Sequence, residues 1–170
     1  DRKADNPTNR DEGFTSGATS LYYKKSFFVK SSSIDKSFIL EFEGIMGIAH
    51  VWVNNNFITK HVNGYTSFYT DISKEILIGE ENQILVYVEN RHKPNSRWYT
   101  GIGIYRHVWL HIGEKVHIMP WMLHVETEKT EGDKAYISIR STVSNLSSHV
   151  ESATIQYEIL DMNRETVYQY

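Results

Sequence analysis

The chain has 170 residues, a formal net charge of −3 and no cysteine. The charge argues against a nucleic-acid surface, whose footprint is a concentrated positive patch, and the missing thiols exclude disulfides and thiolate metal sites. With 40% hydrophobic residues the chain can build a packed core and does not have the composition of a disordered segment. No apolar run approaches the ~18 residues of a membrane-spanning helix, and no leader peptide is recognisable. Absence of cysteine fits a cytoplasmic protein and equally allows a periplasmic or secreted one, so the compartment stays open.

In chain order, residues 1–20 come first. They are polar, carry Pro7, Gly13 and Gly17, and have no period, which predicts an extended lead-in lying over the first domain. Leu21 to Val29 is aromatic and β-branched enough for a strand. Phe38, Leu40 and Phe42 alternate with Ile39, Glu41 and Glu43, and Ala49, Val51 and Val53 alternate with His50, Trp52 and Asn54. Ile84, Val86 and Val88, then Val108, Leu110 and Ile112, repeat the two-residue period of half-buried strands. Turn chemistry separates these runs. Asn54-Asn55-Asn56 can supply the positive φ of a tight hairpin, residues 79–82 can turn the chain, and Gly44 and Gly47 punctuate one gap.

A boundary is expected near Gly113-Glu114. Beyond it, Val116 to Pro120 reads as a linker strand. Trp121 to Glu126, Ala135 to Val143 and Thr154 to Leu160 follow as strands, joined by polar turns at residues 130–133 and 145–148. Their spacing is that of an immunoglobulin-like sandwich, which needs about seven strands and ~100 residues. Only 57 residues follow Gly113, so this second domain should be partial. The expected class is therefore all-β, with one domain over 1–113 and part of another over 114–170.

Several short motifs, in one order, carry a resemblance. They are Tyr22-Tyr23-Lys24-Lys25-Ser26-Phe27, then Phe42-Glu43-Gly44, then Ala49-His50-Val51-Trp52-Val53-Asn54. His61, Gly64-Tyr65-Thr66, Phe68 and Asp71-Ile72 follow as an apparent hairpin, with Asn82, Val86 and Asn90 on the next strand. The most specific piece runs from Ser96 through Arg97-Trp98-Tyr99-Thr100-Gly101-Ile102-Gly103-Ile104-Tyr105 to Arg106. In register over Leu21 to Leu110, this series resembles glycoside hydrolase family 2, the β-galactosidase and β-glucuronidase family. The resemblance implies a galactose-binding-like jelly-roll β-sandwich followed by an immunoglobulin-like one. In the family a catalytic (β/α)8 barrel follows and carries two glutamates, and no such barrel is present in these 170 residues. Two departures stand out: Asn54-Asn55 replaces the usual Asn-Gly turn, a tolerable swap because Asn visits left-handed conformations. Asn95 and Ser96 stand where many relatives have an acidic residue before the Arg-Trp pair, which puts a direct acidic contact to sugar in doubt.

The segment Arg91 to Tyr105 is too long for a hairpin connection, and long ordered loops are often functional. Its substrate-rim candidates are Asn95, Ser96, Arg97, Trp98 and Tyr99. Trp98, Tyr99 and Tyr105 offer flat faces to a pyranose ring, and Arg97 can donate to hydroxyls or to a carboxylate on a neighbouring domain. Trp98 and Tyr105 could equally plug the end of the sandwich, and Arg106 reads as one half of a structural ion pair.

Weaker signals point to structure. Glu41 and Glu43 share a strand face, as an acid/base pair would, but a solvated face or a structural contact is the plainer reading. His107 and His111 share a face roughly 13 Å apart, too far for a common metal ion. Asp71 is placed to turn the chain before Ser73, and Trp52 and Trp109 to pack between sheets or domains. No Gly-rich phosphate loop is present.

These readings converge on the front, non-catalytic part of a family 2 glycosidase of the β-galactosidase type. It would carry no catalytic residue, metal or cofactor of its own, and would meet a carbohydrate substrate together with the barrel. A homo-oligomer is expected, with neither nucleic acid nor membrane as partner. The alternative is a stand-alone carbohydrate-binding or interaction module.

Overall fold

The computed structural model describes residues 20–90 and 101–170. The described residues are β-structured, with one short 3-10 turn at Ser31–Ser33. They fall into two compact units, the first ending at Glu114 and the second running from Lys115 to Tyr170. The lead-in expected over residues 1–20 lies, except for Ser20, outside the described residues.

The first unit is a β-sandwich. One sheet has the order β1-β7-β4-β5, with β1 at Ser20–Phe28, β4 at Ile48–Val53, β5 at Asn56–His61 and β7 at Glu81–Glu89. The other has the order β6-β2-β9, with β2 at Lys36–Phe42, β6 at Phe68–Asp71 and β9 at Val108–Glu114. A two-residue pair, β3 at Ile45–Met46 and β8 at Gly103–Ile104, lies beside them. Every pairing is antiparallel, so hairpins and inter-sheet crossings suffice to connect the strands.

The core sits between the sheets. Val51 and Val53 from β4, Val86 and Val88 from β7, and Phe38, Leu40 and Phe42 from β2 are buried there. The alternation in β4 and β7 is the one expected of half-buried strands. β2 differs: Ser37 through Phe42 are all buried, Ile39 and Glu41 included. Its two-residue period therefore records chemistry, and not exposure, on the second face.

Two sequence expectations are corrected. Residues 61–72 do not form a hairpin, because β5 belongs to one sheet and β6 to the other; the chain crosses the sandwich there. The inward side of β9 is only partly covered. Val108, which alternates like a core residue, stays 40% exposed at an edge strand. There an apolar cavity of about 700 Å³ opens between the sheets, bordered by Tyr23, Phe27, Leu40, Phe42 and Leu110.

Polar groups at one sandwich end are satisfied by two asparagines. Asn82 is fully buried. Its Oδ1 accepts from Leu77 N and Asn54 Nδ2, and its Nδ2 donates to the Leu77 and Glu80 carbonyls. Asn54 Oδ1 accepts from Gln83 N. Asn54 and Asn55 take φ of 48° and 69°, supplying the left-handed pair that a two-residue hairpin between β4 and β5 demands.

The second unit begins with one 16-residue strand, β10 at Val116–Glu131, where a linker strand and a separate strand were expected. Trp121 has φ of 62° and the register slips between Ile118 and Leu123, so an irregularity at Pro120-Trp121 bends a continuous strand without ending it. It pairs with β11 at Lys134–Asn145 around Gly132. β12 at Glu158–Leu160 is shorter than the expected Thr154 to Leu160, and it pairs with β13 at Thr166–Gln169, a strand with no alternating signal.

Candidate functional site

The rim candidates Asn95, Ser96, Arg97, Trp98 and Tyr99 lie outside the described residues. The segment that follows them in the chain is described, and its anchoring is specific. Gly103 pairs with Met46 and Ile104 with Ile45, and Ile104 N donates to the Tyr23 hydroxyl at 3.3 Å. Gly103 has φ of 108° and packs directly against Tyr23, a close approach open only to a residue without Cβ.

Tyr105 is the next fixed point. Its backbone N–H donates to Gly44 O at 3.3 Å, and its hydroxyl donates to Gly64 O at 2.8 Å. Its ring lies so close to Gly44 that a Cβ there would come within 2.6 Å of it. Tyr105 is thus tied to Gly44 and Gly64 while 47% of it stays exposed. The Arg106 guanidinium lies 5.5 Å from the centre of the Tyr105 ring, a cation–π contact, and no ion pair of Arg106 occurs among the described residues.

Beyond Arg106 the chain enters β9 and meets β2 on the outer face of its sheet. The Trp109 indole Nε1 donates to Glu43 Oε1 at 2.8 Å, and His107 Nδ1 lies 3.1 Å from Glu43 Oε2. His111 Nε2 lies 2.6 Å from Glu41 Oε2. The hydrogen bond from Trp109, followed by that with His107, holds the Glu43 carboxyl below its ordinary range. Glu43 is therefore ionised near neutral pH and unsuited to act as a general acid. Glu41 is buried against His111, so it is a structural contact and not part of a solvated face. The histidines 107 and 111 each serve a different carboxylate, and no group of three metal-ligating side chains occurs among the described residues.

Asp71 Oδ1 accepts from Ser73 N at 2.9 Å and Ser73 Oγ at 2.6 Å, the turn expected of it. The two tryptophans do not pack between the sheets. Trp109 sits on the outer face beside Glu43, and Trp52 points away from Val51 and Val53, contacting His50 and Phe57 at ring-centre distances of 6.0 and 5.5 Å. Sequence reasoning missed the link between Trp109 and Glu43, because 66 residues separate them and only the β2–β9 register brings them together.

Comparison with known proteins agrees with this architecture. The model for the family described as "Glycosyl hydrolases family 2, sugar binding domain" matches residues 6–112. A β-galactosidase of Bacteroides ovatus is 32% identical, over 95% of this chain and 19% of that protein. A β-galactosidase of Thermoanaerobacter pseudethanolicus is 34% identical, over 86% of this chain and 20% of its own length. A protein of Formosa agariphila named as a putative β-glucuronidase is 31% identical, over 85% and 14%. Among solved structures, a glycosyl hydrolase family 2 member from Bacteroides cellulosilyticus superposes with a TM-score of 0.83 at 35% identity, over 99% of this chain and 22% of that one. The chain thus spans about a fifth or less of the length of the relatives it matches.

Proposed function

Because this chain belongs to family 2 of the glycosyl hydrolases through its sugar binding domain, we propose that it is the non-catalytic front portion of a larger β-galactosidase. The supporting observation is the match over nearly the whole chain to a small share of each relative. In this reading the first unit shapes the rim of a pocket whose catalytic carboxylates lie in another part of the polypeptide. The loop holding Asn95, Ser96, Arg97, Trp98 and Tyr99 contributes that rim, and Tyr105 with Gly44 and Gly64 fixes the point where the loop returns.

The second unit is, on this proposal, the first part of an immunoglobulin-like sandwich whose remaining strands belong to the same polypeptide. Its exposed Trp121, Leu123 and Val125 would be covered in the whole protein. A homo-oligomer remains part of the proposal, and sedimentation of the whole enzyme is its test.

The deciding experiment compares the full-length polypeptide with residues 1–170 on nitrophenyl β-galactoside and β-glucuronide. Full-length protein should turn over the galactoside, while the 170-residue chain should not exceed a buffer blank. Turnover by the short chain alone would defeat the proposal, and preference for the glucuronide would change the sugar but not the class. In the full-length enzyme Trp98→Ala should lower kcat/KM by roughly tenfold to a hundredfold, the loss expected when a ring worth ~1–3 kcal/mol of burial is removed. Unchanged kinetics would remove Trp98 from the rim.

A further inference from the structure

At one end of the first unit β2 and β5 stop while β4, β6 and β9 begin. Three short segments, 44–47, 61–67 and 101–106, meet there, and contacts between them fix their arrangement. The Tyr105 hydroxyl donates to Gly64 O at 2.8 Å. Gly64 packs so closely on Met46 that a Cβ there would lie 2.6 Å from the sulfur. The His61 ring stacks on Phe68 at 4.1 Å, and His61 Nε2 lies 3.1 Å from Thr66 Oγ1. Asn63 Oδ1 accepts from Tyr65 N at 3.0 Å, and Ser67 Oγ donates to Glu43 O at 3.1 Å.

This fixed scaffold holds apolar side chains out to solvent. Val62 and Tyr65 are each 67% exposed, and Tyr105 keeps nearly half its surface free. Arg106 is exposed as well, with its guanidinium over the Tyr105 ring. Of Lys, Arg, Asp and Glu, the three segments contain Arg106 alone, although these residues make up 23% of the chain. The opposite end of the unit carries Lys30, Asp35, Lys74, Glu75 and Glu80, as turns that face water usually do. Ordering a loop costs conformational entropy, and a turn that only closes the chain has no need of outward valine and tyrosine. Exposed tyrosines beside an arginine, with other charges depleted and the backbone fixed in advance, have the composition and preorganisation of a protein contact.

We propose that this end is the seat on which the catalytic part of the same polypeptide docks, offering an apolar surface to Val62, Tyr65 and Tyr105 and a carboxylate to Arg106. The inference rests on the reading of this chain as the front portion of a glycosidase. Two observations choose the occupant. The chain covers only 14% to 20% of the relatives it matches, so on that reading most of the polypeptide lies outside it and needs a surface to meet. The rim candidates also fall in the chain between Asn90 and Gly101, and both of these adjoin this end, next to Glu89 opposite Ile48 and to the Gly103–Met46 pair. A segment that borders a pocket in the catalytic part brings the residues at its foot against that part.

The test is hydroxyl-radical footprinting of the full-length protein beside residues 1–170, read by mass spectrometry. Oxidation of Tyr65 and Tyr105 should be about fivefold or more slower in the full-length protein, as withdrawal of a ring into a desolvated contact implies. The protection should not change with protein concentration. Val62→Asp in the full-length protein should remove the protection of both tyrosines. Tyr65→Ala, a milder change if that variant does not fold, should raise the oxidation of Tyr105. Peptides that lose protection together with the tyrosines identify the partner, and they should belong to the catalytic part. Equal oxidation of the tyrosines in the long and short proteins, or protection that survives these substitutions, would overturn the proposal. Protection shared with peptides of the second unit would overturn it too. So would protection that appears only at concentrations where sedimentation detects a dimer, which would assign the surface to a second copy. Turnover of nitrophenyl galactoside in the same preparation keeps the two readings apart. Turnover without protection removes the docking surface alone, whereas protection without turnover faults the assigned activity and leaves the contact.

Discussion

Glu43 shows how a single side chain acquires its character from distant sequence. Just past the end of β2, it is one of two acidic residues two positions apart. In the fold it accepts the Trp109 indole N–H and faces His107, and these contacts lower its pKa. A depressed carboxyl pKa makes the ionised form favour the folded state. That contribution is complete above the ordinary carboxylate value of about 4.3 and is lost as pH falls through the lower folded value. Stability near neutral pH should therefore be insensitive to this group. Trp109→Phe removes the principal donor while keeping a ring in place. The Glu43 titration midpoint, followed by carboxyl NMR, should then move up toward the ordinary value. An unchanged midpoint would mean that the indole is not its main cause.

At the scale of elements, the hairpin between β4 and β5 separates two roles that the sequence merges into one run of asparagines. Asn55 has φ of 69° and makes no side-chain bond among the described residues, whereas Asn54 has φ of 48° and binds Gln83 N, Glu75 O and Asn82 Oδ1. Asn55→Gly should be neutral or slightly stabilising, because glycine accepts positive φ without strain. Asn54→Gly keeps the turn but strips the buried Asn82 of a partner and should destabilise by about 1–3 kcal/mol. Equal unfolding midpoints for the two variants would contradict this division of roles. The turn itself was legible, because Asn in a short gap between alternating runs has few other uses. The β4 and β7 strands were legible for the same reason: their second faces are only half-buried, and the residues there alternate accordingly. Less was legible where pairing decides. The contact of Glu41 with His111 depends on the register of β2 with β9, and the cavity beside Val108 depends on β9 being an edge. The bend at Trp121 looked like a boundary because Pro usually ends a strand. For the candidate site, the rim candidates from Asn95 to Tyr99 lie outside the described residues, and the contacts that hold Tyr105 could not be read from sequence because Gly44 and Gly64 approach it only in the fold.

Across the whole chain, the two units differ in what holds them. Every well-buried hydrophobic residue among those described, from Val29 to Val88, belongs to the first unit. In the second, Trp121, Leu123 and Val125 of β10 and Tyr136 and Ile137 of β11 are between 43% and 69% exposed. Two paired strands with both faces wet are marginal by themselves, and independent stability needs further strands or a packed layer. The 56 residues from Lys115 to Tyr170 are also few for an unaided hydrophobic core. Hydrogen exchange should expose this difference. In residues 1–170 alone, amides of β2, β4 and β7 should be strongly protected, while those of β10 and β11 exchange nearly as fast as an open chain, since local opening requires little loss of burial. In the full-length protein the same β10 and β11 amides should become protected, because further strands would cover their faces. Strong protection of β10 and β11 in the short chain would show that the second unit is stable without additional layers, and would remove the reason for reading it as part of a larger sandwich.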